Sequence, residues 1–228
     1  MGLGETSLRV NRVWPNGRNE MKVTRAQVVV LAGPSGAGKS RLAERLGLPV
    51  LRLDDFYKDG DDPTLPRIDL AGGNPIVDWD APDSWNADAA VAAVEELCRT
   101  GSTDAPVYDI ATSSRTGHRV LDLAGSAYFV AEGIFAQEVV AECRRRKLLA
   151  DAVCVTQHPA VTFVRRLARD LREHRKPPFV LLRRGLHLLL AQRAVVTHAE
   201  KLGCRKLSPD AAYREIRKLT GLAGRASA

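Results

Sequence analysis

Lys39 and Ser40 close an eight-residue stretch, Gly33 to Ser40, that reads GPSGAGKS. The spacing is G-x-x-x-x-G-K-[ST], which is the pattern of a loop that holds phosphate groups. Gly33, Gly36 and Gly38 lack a Cβ, so the backbone can turn tightly and come close to an anion. Pro34, Ser35 and Ala37 fill the loop between them, and Arg41 opens the helix that continues from it. Successive N–H groups and the positive helix end then face the anion. Lys39 brings a mobile positive charge to the β- and γ-phosphates, and Ser40 offers a hydroxyl to Mg²⁺. The competing reading is a glycine-rich turn with an accidental lysine. Against it stand the complete motif and its flanks, a strand before and a helix after.

Carboxylates recur where such a loop would need them. Asp54 and Asp55 follow the short apolar run Val50 to Leu53, and the carboxyl end of a parallel strand is where open α/β sheets place their ligands. Asp54 there accepts the proton of a substrate hydroxyl or holds a Mg²⁺ water. Asp59, Asp61 and Asp62 read as an acidic turn. Glu132 follows Tyr128 to Ala131, and a carboxylate just past a buried strand suits Mg²⁺.

Further residues suit an acceptor molecule. Trp79 offers a stacking face and Asp80 an acceptor for sugar hydroxyls; a hydrophobic anchor among solvated acids is the alternative. Tyr108 suits a pocket wall. Arg115 would pair with a phosphate or with Asp109, or would be a surface arginine on a hairpin. After Pro159, residues Phe163, Leu167 and Leu171 make an apolar helix face, and Arg165, Arg169, Arg172 and Lys176 share another, with Arg166 beside them. Such a face would serve a lid over nucleotide phosphates, neutralising the charge of the transferring group; a solvated basic face is the alternative.

These residues require a scaffold. Val28 to Leu31 is the pattern of a buried parallel strand, and Arg41 to Leu46 are helix formers ended by Gly47 and Pro49. A long loop is expected over 58–83, then a helix capped by Ser84 and running to about Arg99. Gly101 to Ala105 reads as a loop, and the stretch around His118 to Ala124 as an edge strand and turn. A strand over Tyr128 to Ala131, a helix over Ala136 to Leu149 and a strand over Asp151 to Thr156 follow. Phe179 to Leu202 reads as a longer helix capped by Gly203. Ser208 and Pro209 open a last helix to about Leu219. The alternation predicts an α/β fold: a three-layer P-loop sandwich with a central parallel sheet, right-handed crossovers and a helical lid over about 159–178.

At 228 residues the chain can bury one sizeable core. One P-loop domain is expected over 26–228, preceded by a flexible arm, residues 1–25. No stretch is long and apolar enough for a transmembrane helix. The first residues lack the apolar core of a signal peptide, so a cytoplasmic, membrane-free protein is expected. The four cysteines are far apart and form no C-x-x-C pair, which leaves them as free thiols. Charge is asymmetric: residues 26–142 hold 9 Lys and Arg against 19 Asp and Glu, and residues 143–228 hold 20 against 6. The basic part would bind nucleic acid or close over a polyanion held by the acidic part. The second reading is favoured because the glycine loop supplies that polyanion.

GPSGAGKS, LDDFYKD, WDAPDSW, VYDIATSSR, VAEGIF and RRLARDLRE occur in this order over roughly residues 26–176. Together they resemble the uridine kinase branch of P-loop kinases, whose members phosphorylate the 5′-hydroxyl of a nucleoside with Mg²⁺ and ATP. The resemblance implies ATP, or another nucleoside triphosphate, and Mg²⁺ as cofactors, with a small-molecule hydroxyl substrate as partner. It implies Asp54 as the catalytic aspartate, also near the metal, with Asp80 on the ribose hydroxyls, Tyr108 against the nucleoside and Arg115 orienting the site. Glu132 matches the Mg²⁺-linked glutamate with Ser40 as direct ligand, and Arg166 and Arg169 match lid arginines near the phosphates. Two departures stand out. Ser113 occupies the place of a histidine that reads the pyrimidine edge, and His174, Arg175 and Lys176 replace an R-G-R lid end. DDFYK and DWD also resemble nicotinamide riboside kinases, so uridine or cytidine, nicotinamide riboside and other small alcohols all remain as acceptors. A nucleotide-binding regulator that associates with nucleic acid is the rival of another class, and a homo-oligomer is left open.

Overall fold

The computed structural model describes residues 25–69, 75–158, 161–162 and 192–222. At its centre is β1, Gln27–Ala32. It pairs in parallel with β7, Tyr128–Glu132, on one side and with β8, Leu149–Val155, on the other. Adding β2, Val50–Arg52, and β9, Arg205–Leu207, gives a parallel five-stranded sheet in the order β2-β7-β1-β8-β9. The continuous apolar run of β1 follows from burial on both faces. Val28, Val30 and Ala32 join one core cluster, Val29 and Leu31 the other.

On the first face lie α2, Ala87–Thr100, and α3, Val140–Arg145, which contribute Val94, Leu97, Val140 and Cys143 to the core. On the second face lie α1, Lys39–Leu46, and α4, Pro209–Leu219, which contribute Leu42, Leu46, Ala212 and Ile216. Helices therefore cover both sides of the sheet, the three-layer α/β arrangement expected. The four cysteines are buried free thiols, and burial pushes the Cys143 and Cys204 thiols up to about 12. Among the described residues no helix is long and apolar enough to cross a membrane.

Several boundaries differ from expectation. Asn86, not Ser84, caps α2: its side chain accepts the Ala89 amide at 3.0 Å. The Ser84 hydroxyl instead donates to Ala81 O at 2.7 Å within a 3-10 turn. Residues 102–105 are strand, not loop. They begin β5, Ser102–Asp109, which forms an antiparallel hairpin with β6, Ser114–Asp122. Thr103 and Ala105 are buried while Asp104 is exposed, an alternation hidden by the polar residues. The loop expected over 58–83 contains a small ribbon, β3, Arg67–Ile68, with β4, Ile76–Val77. The helix expected to reach Leu149 ends at Arg145, because Lys147 takes a left-handed turn (φ 60°) and Leu149 starts β8. Strand β9 was not anticipated, since Arg205 and Lys206 break any apolar pattern. The Ser208 cap holds as read, with its hydroxyl accepting the Ala211 amide. Residues 192–201 are helical and Gly203 follows at φ 93°; the rest of the helix expected from Phe179 lies outside the described residues.

Candidate active site

The glycine loop runs from the carboxyl end of β1 into α1. Gly33, Gly36 and Gly38 take φ values of 128°, 84° and 97°, backbone that residues with a Cβ rarely adopt. A Cβ on Gly33 would also sit 2.4 Å from Val155 O on β8. Gly38 caps α1, whose first residue is Lys39. The Lys39 ammonium is buried and curls back onto Gly33 O (2.7 Å) and Pro34 O (3.3 Å). Ser40 and Arg41 are exposed at the start of the helix.

Strand order brings the carboxylates to this loop. Strand β7 lies between β1 and β2, so Glu132 stands level with Leu31 on one side and Arg52 on the other. The Ser40 hydroxyl donates to Glu132 Oε1 at 3.1 Å. Burial raises the Glu132 pKa; the Lys39 ammonium lowers it and the Asp54 charge raises it further. Past β2 the chain turns through a 3-10 segment, Leu53–Phe56, that carries Asp54 and Asp55. Asp54 is half-buried, and its Oδ1 accepts the Ile134 amide at 2.8 Å. Asp55 is buried, which raises its pKa; Arg52 and the Tyr108 amide that it accepts lower it.

These residues fit a Mg²⁺-nucleotide. Among the described residues no three His, Cys, Asp or Glu side chains form a metal cage. Mg²⁺ in phosphate-transfer sites needs only one or two protein oxygens, with the rest from phosphates and water. Ser40 and Glu132 are a hydroxyl and carboxylate pair of that kind, beside a turn whose glycines leave room for phosphate.

Aromatic rings stand next to the Asp54 turn. The Tyr57 ring lies 5.8 Å from Trp79, 5.7 Å from Tyr108 and 5.9 Å from Phe135. The Tyr57 hydroxyl donates to Trp79 O and the Tyr108 hydroxyl to Lys58 O, both at 3.1 Å. Asp80 is exposed at the turn after β4. Ser113 sits at the hairpin tip with φ 51°; burial raises the Tyr108 pKa, and the Ser113 side chain lowers it in part. Arg115 does not pair with Asp109: its guanidinium holds Asp59 at 3.0 Å through Nη2. The structure thus gathers Lys39, Ser40, Glu132 and Asp54 at the carboxyl end of the parallel strands, with Tyr108, Ser113 and Arg115 on the hairpin beside Tyr57 and Lys58. Arg166 and Arg169, the lid except for 161–162, and residues 1–24 lie outside the described residues.

Three contributors were not singled out from sequence. Gly133 leaves the space that Asp54 occupies, Tyr57 centres the ring cluster, and Asp59, read as a turn residue, holds Arg115. The glycine beside Glu132 was the one available signal. A cleft of about 590 Å³ opens between α2 and the hairpin, lined by Asn86, Glu96, Arg99 and His118. Tyr57, Lys58 and Arg115 also line it, so it adjoins the ring cluster and the strapped end of the hairpin.

The RRRK run, Arg144 to Lys147, is largely tied down. Arg145 and Arg146 pair with Glu142, Arg146 also with Glu95, and Arg144 donates to Gly203 O. The two arginines hold the Glu142 carboxyl down at about 2.

Comparison with known proteins agrees with this fold. A candidate fructose transport system kinase from Silicibacter sp. TM1040 shares the fold, with a TM-score of 0.55 and 17% identity, over 87% of this chain and 92% of that one. The chain is 31% identical over 156 residues to Inorganic pyrophosphatase TTM2 of Arabidopsis thaliana, covering 66% of this chain but only 21% of that protein's length. It is 29% identical over 153 residues to a uridine kinase of Geobacillus kaustophilus (strain HTA426), covering 64% of this chain and 68% of that one. The profile of one family matches residues 28–176, the stretch that carries the glycine loop, the Asp54 turn, the hairpin and Glu132. The chain belongs to the phosphoribulokinase / uridine kinase family.

Proposed function

We propose that the protein is a kinase that transfers the γ-phosphoryl group of ATP, or another nucleoside triphosphate, to a hydroxyl of a nucleoside-like small molecule. The observation that carries this reading is the neighbourhood of Glu132. Its carboxyl bonds Ser40 and feels both the Lys39 ammonium and the Asp54 carboxylate. A phosphate cation, a metal-type pair and a candidate base therefore stand together at the carboxyl end of β1, β7 and β2.

Bound Mg²⁺ would draw charge from the phosphates, with Ser40 and Glu132 as its protein side. Lys39 and the loop amides neutralise the phosphate oxygens. Asp54, oriented by the Ile134 amide, takes the proton of the acceptor hydroxyl. The acceptor oxygen forms a bond to the γ-phosphorus as the bond to the bridging oxygen breaks, and ADP leaves. Asp80 and Tyr108 contact the acceptor, and Arg166 and Arg169 approach the phosphates from a lid.

A panel of uridine, cytidine, nicotinamide riboside, pantothenate and free sugars, each with radiolabelled ATP and Mg²⁺, tests this. Acceptor-dependent label transfer with a nucleoside is expected. Hydrolysis of pyrophosphate or ATP at a rate indifferent to every acceptor would refute it. Tight nucleic-acid binding with a steep salt slope and no ADP release would favour a regulator.

A further inference from the structure

Three consecutive residues after the Asp54 turn each grip the β5–β6 hairpin. Lys58 O accepts the Tyr108 hydroxyl at 3.1 Å. Asp59 takes three bonds from Arg115: its Oδ1 accepts the backbone amide at 2.7 Å, and its Oδ2 accepts Nε at 3.2 Å and Nη2 at 3.0 Å. The Gly60 amide donates to Ser113 O at 2.7 Å, in a contact so close that a Cβ on Gly60 would lie 3.2 Å from Ser113 Cβ. Ser113 pays with a left-handed backbone, φ 51°, which persists only when its surroundings hold it. Tyr108 and Arg115 are direct partners across the hairpin, so whatever fixes Arg115 also fixes the Tyr108 ring against Tyr57.

We propose that Asp59 is a positioning residue for the phosphate acceptor. By filling the fork of Arg115 it straps the hairpin to the segment that carries Asp54, and so sets the gap between that base and the Tyr108 wall. Arg115 accordingly acts as a strap and not as a phosphate ligand. The inference rests on the kinase reading above and assigns Asp59 a role in acceptor binding alone: the strap touches neither the glycine loop nor Glu132.

The test compares the full chain with Asp59→Asn and with the charge exchange Asp59→Arg/Arg115→Asp, in steady-state kinetics on the best acceptor of the panel. For Asp59→Asn the acceptor KM is expected to rise about tenfold, the size of one lost charge-assisted hydrogen bond, while the ATP KM stays within about twofold. The charge exchange recovers much of that loss. Amide exchange gives a readout independent of turnover: in Asp59→Asn the Arg115 and Gly60 amides exchange faster and those of β1 do not. An unchanged acceptor KM, an equal rise in both KM values, or unchanged exchange at Arg115 overturns the inference while leaving the kinase reading intact. A wild-type chain that phosphorylates nothing in the panel overturns the kinase reading, and the acceptor role of Asp59 with it.

Discussion

Gly133 makes room for Asp54: a Cβ at Gly133 would lie 2.7 Å from Asp54 Oδ1 and 3.0 Å from Leu53 Cβ. The next residue, Ile134, donates its amide to the same Oδ1. The backbone after Glu132 is thus both the floor beneath the candidate base and its orienting donor. One short segment sets the metal-type carboxylate and the base relative to each other.

Gly133→Ala is therefore expected to push the Asp54 carboxylate aside and to cost turnover more than nucleotide binding. A turnover loss of about tenfold to a hundredfold is expected, in keeping with small misplacements of reacting groups. Steady-state rates with nucleotide titration on the same sample check it. Wild-type turnover would show that the carboxylate's position does not matter.

Asp54→Asn keeps the shape and the Ile134 bond but removes the base. Turnover falls by on the order of a hundredfold or more, as for loss of a general base, with ATP affinity nearly intact. Single-turnover measurements with saturating acceptor separate the chemical step from binding. A mutant as fast as wild type removes Asp54 from the mechanism.

Gly33→Ala tests the cradle. Its φ of 128° and the 2.4 Å approach to Val155 O leave no place for a methyl group. Backbone strain alone costs about 1–3 kcal/mol, so the melting temperature falls by several degrees and nucleotide binding weakens sharply. Calorimetry and a fluorescent nucleotide titration report the two effects. Unimpaired binding would mean that the loop does not hold phosphate.

The strap also carries a pH signature. Hydrogen bonds from the Arg115 side chain and amide hold the Asp59 carboxyl below its ordinary value. A lowered acid pKa adds stability above the ordinary aspartate value of about 4 and loses it as pH falls through the lowered one. The urea midpoint of wild type should exceed that of Asp59→Asn at neutral pH, and the gap should close in acid. A gap that is constant with pH would mean that the ionised carboxylate does not contribute.

The residues GPSGAGKS determined much by themselves. Glycine spacing encodes backbone angles locally, the loop commits the next residues to α1, and the uninterrupted valines before it require a strand covered on both faces. The Ser208–Pro209 helix start is legible for the same reason, since a cap is satisfied within one turn. Boundaries at Ser84, at 102–105 and at Leu149 were not, because burial against α2 and the sheet outweighed local pattern there. What only the tertiary structure decided are the pairings that make a site: Ser40 with Glu132, Ile134 with Asp54, and Asp59 with Arg115, separated by 92, 80 and 56 residues. The first two depend on β7 inserting between β1 and β2, and the third on a hairpin folding back over the loop after β2. No local propensity specifies such partners, because they are chosen by strand order and by the packing of both faces of the sheet.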